Sequence, residues 1–213
     1  MRDSLGVGLA VGLYGAAFGA AATAAGLSVL QTCTLSLLMF TGASQFALVG
    51  VLGAGGAPVA AVASALLLGA RNTLYGLRLA APLEVRGIRR AVAAHGVIDE
   101  TTAMALAAPN PQALRLAFTV TGVSLFTGWN LSTLAGALGS SLLGASAQVA
   151  LDAVVPAAFL GLLWPRLRHS GTDRLVAGGG ALIALALTPV VPPGLQIMLA
   201  AAAVGLGFGG RRR

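Results

Sequence analysis

The chain is a succession of long apolar segments separated by short polar or glycine-rich connections. Most of these segments approach the roughly 20 residues that an α-helix needs to cross a bilayer. Seven segments can be delimited, at 5–25, 30–52, 58–81, 116–138, 147–164, 175–190 and 194–210. The pattern predicts an all-α fold, a polytopic membrane helix bundle with about seven hydrophobic segments, of which the second either crosses the membrane or is re-entrant or broken.

The first segment carries glycines at three- and four-residue spacing, at Gly8, Gly12, Gly15 and Gly19. Residues at this spacing lie along one face of a helix. Small residues in such a stripe allow two helix backbones to approach closely inside a membrane. The stripe therefore predicts a packing face rather than a chemical site.

The composition places the chain in a membrane and argues for one domain spanning residues 1–213. Apolar residues make up 57 % of the chain, charged residues only 9 %, and the mean hydropathy is +0.88. A soluble domain usually carries about 25 % charged residues, so this chain has too few charged side chains to form a water-exposed surface. The single Cys33 excludes an internal disulfide, and two isolated histidines make no metal site. No cofactor-binding motif is present, and we expect neither a cofactor nor enzymatic activity.

The second segment contains a polar break at residues 40–47, with Gly42, Ser44 and Gln45 in the middle of an apolar run. Hydrocarbon cannot satisfy these polar groups, so they need partners in the protein or in a wet cavity. Glycine beside small polar residues also weakens a helix. One interpretation is a site that holds a polar solute during transport. The other is a small-residue face for helix packing.

Two further polar residues, Arg71 and Asn130, interrupt apolar segments. An arginine inside a span costs about 3 kcal/mol and normally has a partner or a water path, although Arg71 could instead reach the membrane interface. Asp99 and Glu100 begin a predicted helix inside the long connection at 82–111. Acids are favourable at a helix N-terminus, which offers a structural explanation for both.

Asp152 is the most conspicuous acid, because it lies among valine, alanine and leucine residues with Pro156 four positions later. A carboxyl group among apolar residues readily accepts a proton, and the proline frees the Asp152 carbonyl from the helix ladder. A kinked helix with an acid at the kink suits a coupling or substrate site. Alternatively, Asp152 lies near the outer interface as a charge at a helix N-terminus.

All of the chain's basic side chains apart from histidine are arginines, and their distribution predicts its orientation. The connections at 82–115, 165–174 and 211–213 hold ten arginines, whereas the turns at 53–57, 139–146 and 191–193 hold none. Basic loops collect on the cytoplasmic side, so we expect a cytoplasmic C-terminus. With seven crossings the N-terminus lies outside; with a re-entrant second segment there are six crossings and the N-terminus lies inside.

Several short motifs together resemble the AzlC family, the large subunits of two-component branched-chain amino acid exporters related to azaleucine resistance. The matching residues fall in order along nearly the whole chain, at 42–47, 71 with 74–76, 80–82, 99–101, 128–129 with 133 and 136, and 151–152 with 156, 157 and 159. The chain departs from the family pattern at Gly69, Asn72, Ser132 and Ala153.

The resemblance implies a multi-pass permease of the bacterial cytoplasmic membrane that exports valine, leucine or isoleucine with a small hydrophobic AzlD-type partner subunit. The candidate substrate-binding residues are Gly42, Ser44, Gln45, Arg71 and Asn130. The candidate proton-coupling residues are Asp152, Glu100 and Asp99. Two alternatives are a transporter of another small polar solute and a non-transport assembly subunit whose polar residues join helices.

Overall fold

The computed structural model describes residues 2–142, 154–191 and 195–209, and within these ranges the regular structure is entirely helical. The predicted all-α class is therefore confirmed. The helices are α1 Arg2–Gly12, α2 Tyr14–Ala24, α3 Val29–Leu38, α4 Ala43–Gly53, α5 Pro58–Leu83, α6 Ile88–His95, α7 Asp99–Leu106, α8 Pro111–Leu142, α9 Val154–His169, α10 Gly171–Leu187, α11 Leu195–Ala200 and α12 Val204–Gly209, with a 3₁₀ turn at Ala201–Ala203 between the last two.

The glycine stripe of α1 and α2 packs against α8, as its spacing predicts. The backbones come so close at Gly12 that an added Cβ would lie 3.1 Å from the backbone of Gly128. Gly8 faces Ser124 and Gly19 faces Thr133. Because residue numbers rise together on both sides of this contact, α1–α2 and α8 run parallel.

The second apolar segment is broken into α3 and α4, and both of its ends lie at the same end of the bundle. Phe46 packs edge-on against Phe18 of α2, with ring centroids 5.7 Å apart. Further toward the C-terminal ends of both helices, an added Cβ on Gly53 would lie 3.3 Å from the Cβ of Ala25. Helix α4 is therefore parallel to α2, and α3, which follows α2 directly, is antiparallel to both. The segment is a helical hairpin, called here the first hairpin.

The polar connection after α5 folds into a second hairpin, formed by α6 and α7, that enters from the opposite end. The end of α5 meets the start of α8, where Arg115 Nε donates to the carbonyl of Pro82 at 3.0 Å. From there α6 rises along α8 until His95 reaches Phe126. Helix α7 returns past Gly122, where an added Cβ would lie 3.6 Å from Thr101. The sequence predicts two helical pieces here but not their hairpin arrangement.

By length and hydropathy alone, one continuous helical stretch among the described residues qualifies as a membrane span, Arg2–Ala24. The halves of the first hairpin, Val29–Leu38 and Ala43–Gly53, are apolar but shorter. The second segment is thus broken, which is one of the two alternatives that the sequence leaves open. The count of about seven hydrophobic segments stays a prediction, and residues 143–153, 192–194 and 210–213 lie outside the described structure.

Candidate functional site

The tips of the two hairpins meet beside the middle of α8. Phe40 at the first tip lies 6.1 Å from the His95 ring and 5.1 Å from the Phe126 ring, measured between centroids. The Nε2 atom of His95 lies 3.0 Å from the carbonyl oxygen of Leu37 and donates to it when it carries the proton. The second helices of the two hairpins, α4 and α7, therefore both begin near the centre of the bundle.

Gly42 and Gln45 build the tip of the first hairpin. Gly42 has φ +60° and ψ −96°, a conformation that only glycine adopts readily. The Gly42 N–H donates to Oε1 of Gln45 at 3.2 Å, and Nε2 of Gln45 donates to the carbonyl of Leu35 at 3.5 Å. Both ends of this fully buried amide thus stabilise the break between α3 and α4. Gln45 therefore has a structural role at a position where the sequence suggested substrate binding.

Thr101 performs the corresponding task at the tip of the second hairpin. The Ile98 N–H donates to Oγ1 of Thr101 at 3.1 Å, and this hydroxyl donates to the carbonyl of Gly96 at 2.6 Å. Both tips are therefore closed by the side chain three residues after the helix N-cap. Thr101 belongs to the motif at 99–101, but that motif does not indicate this structural role.

A cavity of about 950 Å³ lies between the two tips. Its polar side chains come from Tyr14, Thr41, Arg71, Asp99, Glu100 and Arg166, and the backbone at Gly42 also lines it. The other walls are largely apolar and include Val11, Phe46, Leu68, Leu125, Trp129, Leu160 and Ala184. The structure thus brings Gly42, Arg71, Asp99 and Glu100 of the predicted residues to one cavity.

Arg71 of α5 pairs with Asp99 at the start of α7. Its guanidinium Nη2 lies 2.6 Å from Oδ2 of Asp99, and the two side chains are 29 % and 32 % exposed. The remaining buried atoms of the pair, Nε of Arg71 and Oδ1 of Asp99, have no hydrogen-bond partner among the residues that the structure describes. The pair supplies the charge partner that an arginine in an apolar segment requires.

Ser44 lies in α4 but lines a different, neighbouring cavity of about 530 Å³. Its side chain is 1 % exposed, and within the described ranges its hydroxyl finds no hydrogen-bond partner. An added Cβ on Gly69 would lie 3.3 Å from this hydroxyl. Gly69 and Asn72, two positions where the chain departs from the family pattern, line the same cavity.

Asn130 does not line the cavity between the tips. Its Oδ1 accepts from the Ser36 hydroxyl at 2.8 Å, and its Nδ2 donates to the Phe126 carbonyl at 2.8 Å. The oxygen of the amide thus joins α3 to α8 and its nitrogen bonds within α8, a packing arrangement at a position where the sequence suggested substrate contact. Asp152 lies outside the described residues.

Trp129 is a cavity residue whose role in the site the sequence did not reveal. It is 3 % exposed and stacks on Phe18, with centroids 6.1 Å apart. An added Cβ on Gly42 would lie 4.0 Å from its ring. In the described part of the chain its indole N–H has no acceptor. A tryptophan beside a glycine in mid-segment was the available signal.

The family model described as AzlC protein matches residues 6–143. The chain belongs to the AzlC family. An "Uncharacterized membrane protein" of Archaeoglobus fulgidus is 29 % identical over 88 % of this chain and 82 % of its own length. "Inner membrane protein YgaZ" of Escherichia coli is 30 % identical over 76 % of this chain and 69 % of its own. No solved structure matches significantly.

As an AzlC family member the chain is a membrane protein, and its family is associated with membrane transport rather than with enzymatic catalysis. The matched range of the family model includes both hairpins as well as Arg71 and Asp99. It ends before Asp152. The family match thus covers the two tips and the ion pair, while part of the cavity wall, including Leu160 and Ala184, lies beyond it.

Proposed function

We propose that this AzlC protein is the large subunit of a two-component permease that exports branched-chain amino acids. The observation that carries the proposal is the meeting of two re-entrant tips at a cavity lined by two arginines, two acids and largely apolar walls. Broken helices whose ends surround a midplane cavity are the usual construction of a solute site in membrane transporters.

The chemistry of the cavity corresponds to the parts of a branched-chain amino acid. The substrate carboxylate needs donors, which Arg71 and the first amides of α4 offer, since the first N–H groups of a helix have no intrahelical acceptor. The ammonium group needs acceptors, which Asp99 and Glu100 offer. Phe46, Leu125 and other apolar lining residues suit a branched aliphatic side chain.

The arginine distribution assigns the two hairpins to opposite sides of the membrane. Arg86, Arg89, Arg90 and Arg115 lie at the end of the bundle where the second hairpin enters, and basic connections favour the cytoplasm. The first hairpin then enters from outside. Because α1–α2 is parallel to α8, the N-terminus is cytoplasmic in this proposal, as is the arginine-rich C-terminus.

We further propose that export is driven by protons and requires a small AzlD-type partner. Glu100 and Asp99 lie at the cavity, where a carboxyl group can exchange a proton as solute enters or leaves. Asp152 is the third candidate, proposed from its sequence surroundings. The many exposed large apolar side chains of the described helices are compatible with lipid and with a membrane partner.

Efflux of labelled valine from cells tests the proposal directly. Cells would contain the chain alone, the chain with its small partner, or the Asp152→Asn variant with the partner. We expect valine efflux with the partner present, little without it, and loss in the variant at equal membrane abundance. Absence of efflux from every strain would overturn the exporter assignment, whereas unchanged efflux in the variant would remove only Asp152 from the coupling group.

A further inference from the structure

We infer that the Arg71–Asp99 ion pair is the amino acid receptor in its ligand-free form. In this inference the substrate carboxylate binds Arg71 and the substrate ammonium binds Asp99, so the zwitterion inserts between two partners that otherwise satisfy each other. The inference rests on the proposed function and deepens it, because it assigns each charged end of the substrate to one side chain.

The hydrogen-bonding state of the pair supports this assignment. One nitrogen of Arg71 and one oxygen of Asp99 are in contact at 2.6 Å. Nε of Arg71 and Oδ1 of Asp99 are buried, and neither has a partner within the described residues. The pair therefore carries one unused donor and one unused acceptor beside the same cavity. A zwitterion offers the complementary acceptor and donor.

Charge balance explains why the exchange favours a zwitterion. An ion pair that opens in a partly buried site leaves two charges without their partners, which is costly. A substrate that carries both charges replaces each lost partner and leaves the net charge of the site unchanged. An analogue with only a carboxylate leaves Asp99 with its Tyr75 hydrogen bond but without the cation that it had, and one with only an ammonium leaves Arg71 without its anion. Selectivity for amino acids over such analogues follows from the pair itself.

A second ion pair in the protein provides a matched comparison. Nη2 of Arg115 lies 2.6 Å from Oε2 of Glu84, the same separation as in the first pair. These side chains are more exposed, at 39 % and 66 %, and neither lines the cavity between the tips. Breaking this pair removes an ion pair of equal length without touching the proposed receptor.

The test measures competition against labelled valine in proteoliposomes that contain the chain and its small partner. The competitors are valine, 2-hydroxyisovalerate, which lacks the ammonium, and isobutylamine, which lacks the carboxylate. For the wild-type protein we expect valine to compete about 10- to 100-fold better than either analogue, the factor of one charged hydrogen bond. Each ratio is formed within one variant and is independent of the amount of folded protein.

The variants should change these ratios selectively. Asp99→Asn should reduce the preference for valine over the hydroxy acid and keep the preference over the amine. Arg71→Gln should do the reverse, and the control Glu84→Gln should keep both. Asp99→Glu, which retains the charge, should resemble wild type. Valine export with unchanged ratios in Asp99→Asn and Arg71→Gln would overturn the receptor, while wild-type protein that moves no valine would overturn the proposed function as well.

Discussion

The two hairpins share one architecture but differ in the charge and polarity of their side chains. Each enters from one end of the bundle, breaks near the middle and closes its tip with a side chain three residues after an N-cap, Gln45 in one and Thr101 in the other. The first hairpin is apolar and its second helix begins with neutral residues. The second hairpin has a basic first helix and begins its second helix with Asp99 and Glu100.

Because of this difference, the two hairpins contribute different hydrogen-bonding groups to the cavity. The first tip contributes backbone donors in a conformation that depends on Gly42. The second tip contributes carboxylates, one of which is already engaged by Arg71 of α5. Where the tips meet, hydrogen-bond donors and acceptors line one cavity, which neither hairpin provides alone.

The largest expected effects on stability are at the two tips, with Gln45→Leu and Thr101→Val. Leucine leaves the Gly42 N–H and the Leu35 carbonyl without their partner, and valine leaves the Ile98 N–H and the Gly96 carbonyl without theirs. An unsatisfied buried group costs about 1–3 kcal/mol, so we expect each variant to lose about 2–6 kcal/mol of stability. Unfolding of both variants in detergent measures the losses. Unchanged stability in either variant would contradict a side-chain clamp at that tip.

Sequence reasoning located the first tip because its polar residues and glycine interrupt an apolar run. It did not locate the second hairpin, since the arginines of α6 resemble an ordinary cytoplasmic connection and the tip residues Gly96, Val97 and Ile98 carry no polar side chain. The Arg71–Asp99 contact is a tertiary distance that spacing cannot supply.

Side-chain amides mark the other limit of sequence reasoning. Gln45 and Asn130 look alike whether they bind a substrate or a neighbouring backbone, and in the structure both are engaged within the protein. Gly42, Arg71, Asp99 and Glu100 do meet at the cavity, where functional and structural interpretations of the same residues overlap.

Glu100→Gln tests whether the second hairpin carries the coupling proton. We expect this variant to bind valine but to lose most of the export that an imposed pH gradient drives, about 10-fold or more, because the neutral amide cannot exchange a proton. The matched control is Glu84→Gln, which removes an exposed carboxylate from the connection before α6. Gradient-driven flux in proteoliposomes is the measurement. Equal flux in both variants would exclude Glu100 as carrier.

Gly42→Ala tests the special backbone of the first tip. An alanine at φ +60° and ψ −96° is strained, and a cost of about 1–3 kcal/mol is expected. Gly55→Ala is the control, since Gly55 also has a positive φ of 76° but lies in a turn with open space around it. Both variants should lose stability, while only Gly42→Ala should weaken valine binding. Weakened binding in both would point to a general loss of fold.

The smallest effect is expected from two hydroxyls whose removal should leave stability nearly unchanged. Ser44 and Thr102 are buried, and neither hydroxyl has a hydrogen-bond partner among the described residues. Ser44→Ala and Thr102→Val therefore remove no bond, and stability should stay the same or rise slightly. Ser44 lines the neighbouring cavity and not the one between the tips, so Ser44→Ala should leave valine affinity unchanged, as should Thr102→Val. Weaker valine affinity in Ser44→Ala alone would show that the solute site extends into the neighbouring cavity.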